Sequence, residues 1–281
     1  MILNLKKERW KKPMKTKIVT CSTSSIDYIP HEGIDVIPSV IVFNELEEYR
    51  EYEDLSFEAY YNRVSYDKKI KVTSNFITYN ELIRKIRSYE EEEYKQVIFI
   101  TDSEEISTFT SLVGFLKEEE FNIKVKMFDT NTCGYPLAYI ANAANQIAQD
   151  DFNYTRFVKK LSFYRDNNKI YFITQNKRDA KKNIITSVLS FNNGKLVPVE
   201  IEKGILVNDF VKSIFDRESN KNITPFIQYT NNSRNDILDE VENLMIDYYS
   251  NIRKVKSYPL SPTVSLKINN LTMAVGFIRN K

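Results

Sequence analysis

Apolar positions along this chain change period several times, and those changes mark out its elements. Short runs rich in β-branched residues read as strands: KIVT at 17–20, IDVIPSVIVF at 34–43, VIFIT at 97–101 and IKVKMFD at 123–129. Between them apolar residues recur at helical spacing, in LSFEAYYNRV from Leu55, TYNELIRKI from Thr78, the stretch from Glu104 to Glu119, and PLAYIANAANQIAQ from Pro136. Thr78 and Glu81 have the spacing of a capping box. Leu137, Ala141, Ala144 and Ala148 give the last helix a small-residue face that can press closely on a sheet. Strand and helix in alternation predict an α/β unit, a mainly parallel sheet flanked by helices.

Past the polar RDNNK stretch at 165–169 the pattern changes. KIYFIT, IITSVLSF and KLVPVEI read as strands, and the Asn-Asn-Gly between the last two is a hairpin signal because Asn and Gly accept positive φ. Ile237, Val241, Leu244, Met245 and Tyr248 mark an amphipathic helix, and TMAVGFI is the closing strand. The expected organisation is an extension or misplaced start over residues 1–13, an α/β domain over 14–165 and a smaller α+β second domain over 166–281.

Composition narrows the function classes. With 40 basic and 38 acidic side chains the chain has no positive field to hold a nucleic-acid backbone or an anionic membrane. No apolar run approaches the ~18 residues of a membrane span, so neither nucleic-acid binding nor stable membrane insertion is expected. The two cysteines, Cys21 and Cys133, lie far apart and offer neither a disulfide framework nor a CxxC spacing, which fits a reducing cytoplasm. The single histidine, His31, sits in the loop signal PHEG and excludes a His-rich metal site. No metal or cofactor is expected.

Candidate chemistry lies in three small polar clusters at expected strand ends: CSTSS at 21–25, VTSN at 72–75 and TDSEEIST at 101–108. In a parallel sheet such ends gather at one edge. Hydroxyls and free backbone N–H groups there suit a carboxylate or phosphate, with Ser103 as the expected N-cap of the next helix and Ser107 about one turn on. The alternative is structural, since Ser and Thr are favoured at caps and turns in their own right.

Over residues 15–278 the chain resembles the DegV family of two-domain fatty acid-binding proteins. The likeness is carried by IVTCST, where the family has Asp-Ser-Thr after its first strand and this chain has Cys21 in place of the aspartate. It is carried also by GIDVIPSVIVFNELEEYREYEDLSFEAYYNRV at 33–64. The family's Thr-Ser pair matches Thr73 and Ser74, and its Leu-Ser-Gly-Thr turn matches Ile106, Ser107, Thr108 and Phe109, so that the serine is kept and the glycine lost. The resemblance implies a DegV-type fold and a non-enzymatic carrier of a long-chain fatty acid. It assigns Thr73, Ser74, Ser107 and Thr108 to the carboxylate, with the tail between the domains and a fatty acid kinase ATP-binding subunit as a partner.

Where the family has a carboxylate-holding histidine this chain has Lys267, followed by Asn269, Asn270 and Leu271 in place of a Gly-Pro-Gly turn. The family's Gly-Gly-Arg-Ile motif has no counterpart, and QNKRDAKKN at 175–183 forms a short connection in its stead. A degenerate paralogue that keeps the scaffold without lipid therefore stays open beside the fatty acid carrier. An enzyme related to the dihydroxyacetone kinases is disfavoured, because His31 does not fall where that chemistry needs a histidine.

Overall fold

A computed structural model describes the chain from Lys15 to Asn280, apart from residues 68, 150–152, 219–220, 231–234, 249–254 and 269–270. The extension expected over residues 1–13 lies outside the described residues, as do Asn269 and Asn270. In chain order the first part forms β1 (Thr16–Cys21), β2 (Ile34–Ile37), β3 (Ser39–Phe43), β4 (Glu47–Arg50), α1 (Phe57–Tyr66), β5 (Val72–Phe76) and α2 (Tyr79–Glu91). It continues with β6 (Gln96–Thr101), α3 (Phe109–Gly114), β7 (Lys124–Asp129), α4 (Gly134–Gln149) and α5 (Tyr154–Asp166). There follow β8 (Asn168–Thr174), α6 (Lys177–Ala180), β9 (Ser187–Asn192), β10 (Lys195–Pro198), α7 (Val207–Asp216) and β11 (Ile223–Tyr229). Last come α8 (Asn235–Tyr248), β12 (Lys256–Pro259), α9 (Pro262–Lys267) and β13 (Leu271–Arg279).

The fold is mixed α/β, with a parallel sheet in the order β2-β1-β6-β7. Its central strand β6 is buried at all six positions, as a parallel strand covered on both faces must be. The small-residue face expected on α4 lies against β1, with Leu137, Ala141, Ala144 and Ala148 all buried. A six-stranded mixed sheet, β10-β9-β8-β13-β11-β12, holds the remaining core with α7 and α8. The tip of its β9–β10 hairpin has Asn193 at φ 49° and Gly194 at φ 79°, the left-handed pair the Asn-Asn-Gly signal requires.

Three expectations change. IDVIPSVIVF is not one strand: Pro38, with no N–H to donate, ends β2, and β3 enters a separate antiparallel sheet ordered β4-β3-β5. VTSN is not a strand end but the body of β5, paired to β3 from Phe43↔Val72 to Ser39↔Phe76. The helix expected from Glu104 starts at Phe109, because the Ser103 backbone carbonyl accepts from Ile106 and Ser107 and its hydroxyl accepts from Glu105, which winds 103–107 into a local turn.

The parallel sheet and the six-stranded sheet meet at α4. Gly134 opens that helix at φ 62°, and a β-carbon there would lie 2.3 Å from the amide oxygen of Gln228 on β11. That oxygen accepts the Tyr135 N–H at 2.7 Å. A side chain at residue 134 would therefore break the contact that joins β11 to α4.

Candidate functional site

Three segments distant in sequence line one cavity of about 370 Å³: β5 with Thr73 and Ser74, the turn 104–108 with Ser107 and Thr108, and α9 with Thr263, Leu266 and Lys267. All five residues expected to hold a carboxylate thus border the same space. Thr73, Thr108 and Lys267 are exposed, whereas Ser74 and Ser107 are half-buried. Thr73 and Ser74 are neighbours on a strand, so their side chains leave opposite faces and only one can address a given ligand atom.

Beneath Ser107 lies Asp102, the first residue past β6, which is fully buried. Its Oδ2 accepts from the Ser107 hydroxyl at 2.6 Å and from Thr23 at 2.9 Å, while Oδ1 has no partner among the described residues. Burial pushes the Asp102 carboxyl up to about 7 against those two donors, and Asp129 adds to the rise. Thr23 also touches the Cys21 thiol at 3.1 Å, and burial together with Asp102 raises that thiol well above its ordinary value.

A second buried carboxyl, Glu51, lies behind Thr263. Its Oε2 accepts from Thr263 at 2.7 Å, from Ser22 at 3.3 Å and from Ser39. Burial raises this carboxyl too, its hydroxyl donors opposing the rise. The knot ties α9 to the turn after β1 and to the start of β3, and so fixes the helix that carries Leu266 and Lys267. Nearby, the Ser261 N–H donates to Ser25 at 3.0 Å, and Tyr61 shares a 2.5 Å contact with Ser265.

The CSTSS cluster serves this scaffold rather than a ligand. Residues 22–24 form a buried single turn, with Ser22 on Ser39 and Glu51, Thr23 on Asp102 and Ser24 on the Cys21 carbonyl. Ser103 is not the N-cap of α3; its hydroxyl donates to the Gly194 carbonyl at the hairpin tip at 2.5 Å. His31 lies in a loop, its Nδ1 2.9 Å from the Ile29 carbonyl, away from the cavity. Asp102, Glu51 and Thr263 escaped the reading of the sequence. Only Asp102 had a signal, an acid just past the apolar run Val97–Ile100 of an expected strand.

On its inner side the cavity meets aromatic packing. Leu266 lies against a cluster of Phe57, Tyr60 and Tyr61, and Phe57 packs edge-on to Tyr229 of β11 with ring centres 5.8 Å apart. A larger open depression of about 840 Å³ follows β7, but no hydroxyl lines it and it lies away from Asp102 and Glu51. Among the described residues no cluster of His, Cys, Asp and Glu could hold a metal ion, and no helix is long and apolar enough to cross a membrane.

Residues 15–179 match the model of a family described as "Uncharacterised protein, DegV family". A DegV domain-containing protein of Staphylococcus aureus (strain N315) is 22% identical over 203 residues, which is 66% of this chain and 70% of that protein. The fold is similar to that of DegV, a fatty acid binding protein from Bacillus subtilis, with a TM-score of 0.78, 19% identity and coverage of 95% of this chain and 100% of the other. A fatty acid binding DegV family protein from Streptococcus agalactiae gives a TM-score of 0.79 at 17% identity, with the same coverage. A stearic acid-binding protein from Eubacterium ventriosum gives 0.75 at 15%, covering 94% of this chain and 98% of that one.

Proposed function

Because the chain belongs to the DegV family, we propose that it is a non-enzymatic carrier of a long-chain fatty acid, with the carboxylate at Thr73 and Ser107 and the tail directed between the domains. The observation that carries this reading is the convergence of β5, the 104–108 turn and α9 on one cavity. Hydroxyl residues from all three segments border it, and Lys267 supplies a cation at its rim. A carboxylate is an acceptor alone and needs such donors; a lysine ammonium satisfies it as a point charge. Exposure of Thr73, Thr108 and Lys267 leaves the head group within reach of a second protein, which supports presentation to a fatty acid kinase.

The tail must enter the aromatic cluster beyond Leu266. A cavity of about 370 Å³ is near the lower end of the roughly 300–1,000 Å³ of small-molecule sites. It takes the head and the first part of a chain, and longer tails require Phe57, Tyr61 and Tyr229 to part. That packing is the observation favouring the second reading, a paralogue that keeps the scaffold as an interaction protein and holds no lipid.

Native mass spectrometry of gently purified protein, with lipid extraction, separates the two. The carrier reading expects one fatty acid approaching one per chain, since each buried CH₂ contributes about 0.8 kcal/mol to retention. Protein free of lipid that also takes up no added oleate contradicts it.

A further inference from the structure

We propose that Asp102 is a positioning residue that couples capture of the ligand carboxylate to uptake of one proton, by deciding which way the Ser107 hydroxyl points. The inference rests on the carrier reading and goes beyond it. Ser107 Oγ has one hydrogen and two acceptor lone pairs. One lone pair takes the Phe109 N–H at 3.1 Å, and the hydrogen goes to Asp102 Oδ2 at 2.6 Å. A ligand carboxylate offers only acceptors, so it gains nothing from Ser107 while Asp102 holds that hydrogen.

A proton on Asp102 Oδ2 resolves the conflict. Oδ2 then donates to the remaining lone pair of Ser107 and still accepts from Thr23. The Ser107 hydrogen turns into the cavity, every lone pair on Oγ is used, and the second negative charge beneath the ligand is gone. The proton comes from solvent and no covalent bond changes besides its own.

The groups facing Asp102 reinforce this. Cys21 on β1 and Cys133 ahead of α4 are thiols that burial keeps neutral, and Asp129 at the end of β7 adds negative charge. Glu104 and Lys267 border the cavity from its rim, and Glu51 lies behind Thr263. Asp102 already titrates at about 7, so the uptake falls in the ordinary pH range.

The test is oleate binding, in monomeric form, to wild type and Asp102→Asn between pH 6 and pH 9, with calorimetry at pH 8 in buffers of different ionisation enthalpy to count protons. The asparagine amide nitrogen, in the place of Oδ2, donates one hydrogen to Ser107 as the protonated acid would and the other to Thr23, whose own hydroxyl hydrogen can turn to Cys21, and it does not titrate. Wild type should weaken about tenfold from pH 6 to pH 8 relative to Asp102→Asn, as the competent fraction falls, and should take up close to one proton per oleate at pH 8. Parallel pH profiles for the two proteins overturn the inference, because any titration outside Asp102 survives in the variant. If the variant does not fold, the wild-type proton count decides alone, and a count near zero overturns it. Absence of oleate binding at every pH overturns the carrier reading together with the inference, whereas binding without proton uptake overturns the inference alone.

Discussion

The floor and the rim of the cavity are built from the same residue types and behave as opposites. On the floor, Ser22, Ser39, Thr23 and Thr263 are buried, and each hydroxyl is already bonded to Glu51 or Asp102. On the rim, the side chains of Thr73, Ser74, Thr108 and Lys267 border the open space with no hydrogen bond or ion pair to a described residue. A hydroxyl with a partner holds the fold, and one without a partner remains for a ligand. Ser107 and Thr263 touch both, each bordering the cavity while its hydroxyl hydrogen is held by a buried carboxyl.

Substitutions should separate the two regions by which measurement they move. The largest effect is expected on the floor. Glu51→Ala leaves three buried hydroxyl donors without their acceptor, at about 1 kcal/mol each, so urea denaturation should show a loss of about 3 kcal/mol with the denaturant slope unchanged. Glu51→Gln keeps an acceptor oxygen and should lose far less. Equal losses would mean that the charge of Glu51, and not its hydrogen bonds, holds α9.

The floor also fixes a pH dependence of the free protein. Asp102 titrates at about 7 in the fold against an ordinary value of 3.8, so the folded state binds the extra proton. Its contribution to stability is complete below the ordinary value and disappears as pH rises through about 7, with a slope of up to ~1.4 kcal/mol per pH unit between. Other carboxyls are held low, Asp35 by Lys17 and Tyr89 against the effect of its burial, and act in the opposite direction. The stability difference between wild type and Asp102→Asn isolates the Asp102 share.

Substitutions of Thr73 and Lys267 should leave denaturation within about 0.5 kcal/mol and move oleate affinity instead, whereas Ser107→Ala also removes a bond to buried Asp102 and should cost about 1 kcal/mol of stability besides. Ser107→Ala is expected to cost about tenfold and Thr73→Val on the order of fivefold, each removing one donor to a charged group. Lys267→Met should cost at most about threefold, and less at high salt, because its charge is exposed. A reversed order, with Lys267 dominant, would make the site electrostatic.

The rim was legible in the sequence and the floor was not, for physical reasons. Thr73 and Ser107 lie in hydroxyl clusters whose residue types suit a carboxylate, and Lys267 was reached through the family resemblance, as the residue in its histidine's position. Glu51 lies in EEYREYED, a run with every mark of a solvated surface. It becomes an interior group only because Ser39, Ser22 and Thr263, at separations of 12, 29 and 212 residues, close over it. The parallel sheet followed from periodicity, and the capping box of Thr78 and Glu81 forms as expected. The break at Pro38 was available in principle, since proline cannot continue a paired strand. The late start of α3 depended on side-chain bonds from Ser103 that competed with the helix, which apolar spacing does not register.

The central claim, that this cavity holds a carboxylate, is tested most directly by a crystal structure of the protein saturated with oleate. The account predicts a carboxylate oxygen within hydrogen-bond distance of Ser107 Oγ and of a rim hydroxyl on β5, with the tail passing Leu266 and the rings of Phe57, Tyr61 and Tyr229 parted to admit it. Oleate bound along β7 instead, or an empty cavity behind an unchanged aromatic cluster, would contradict it.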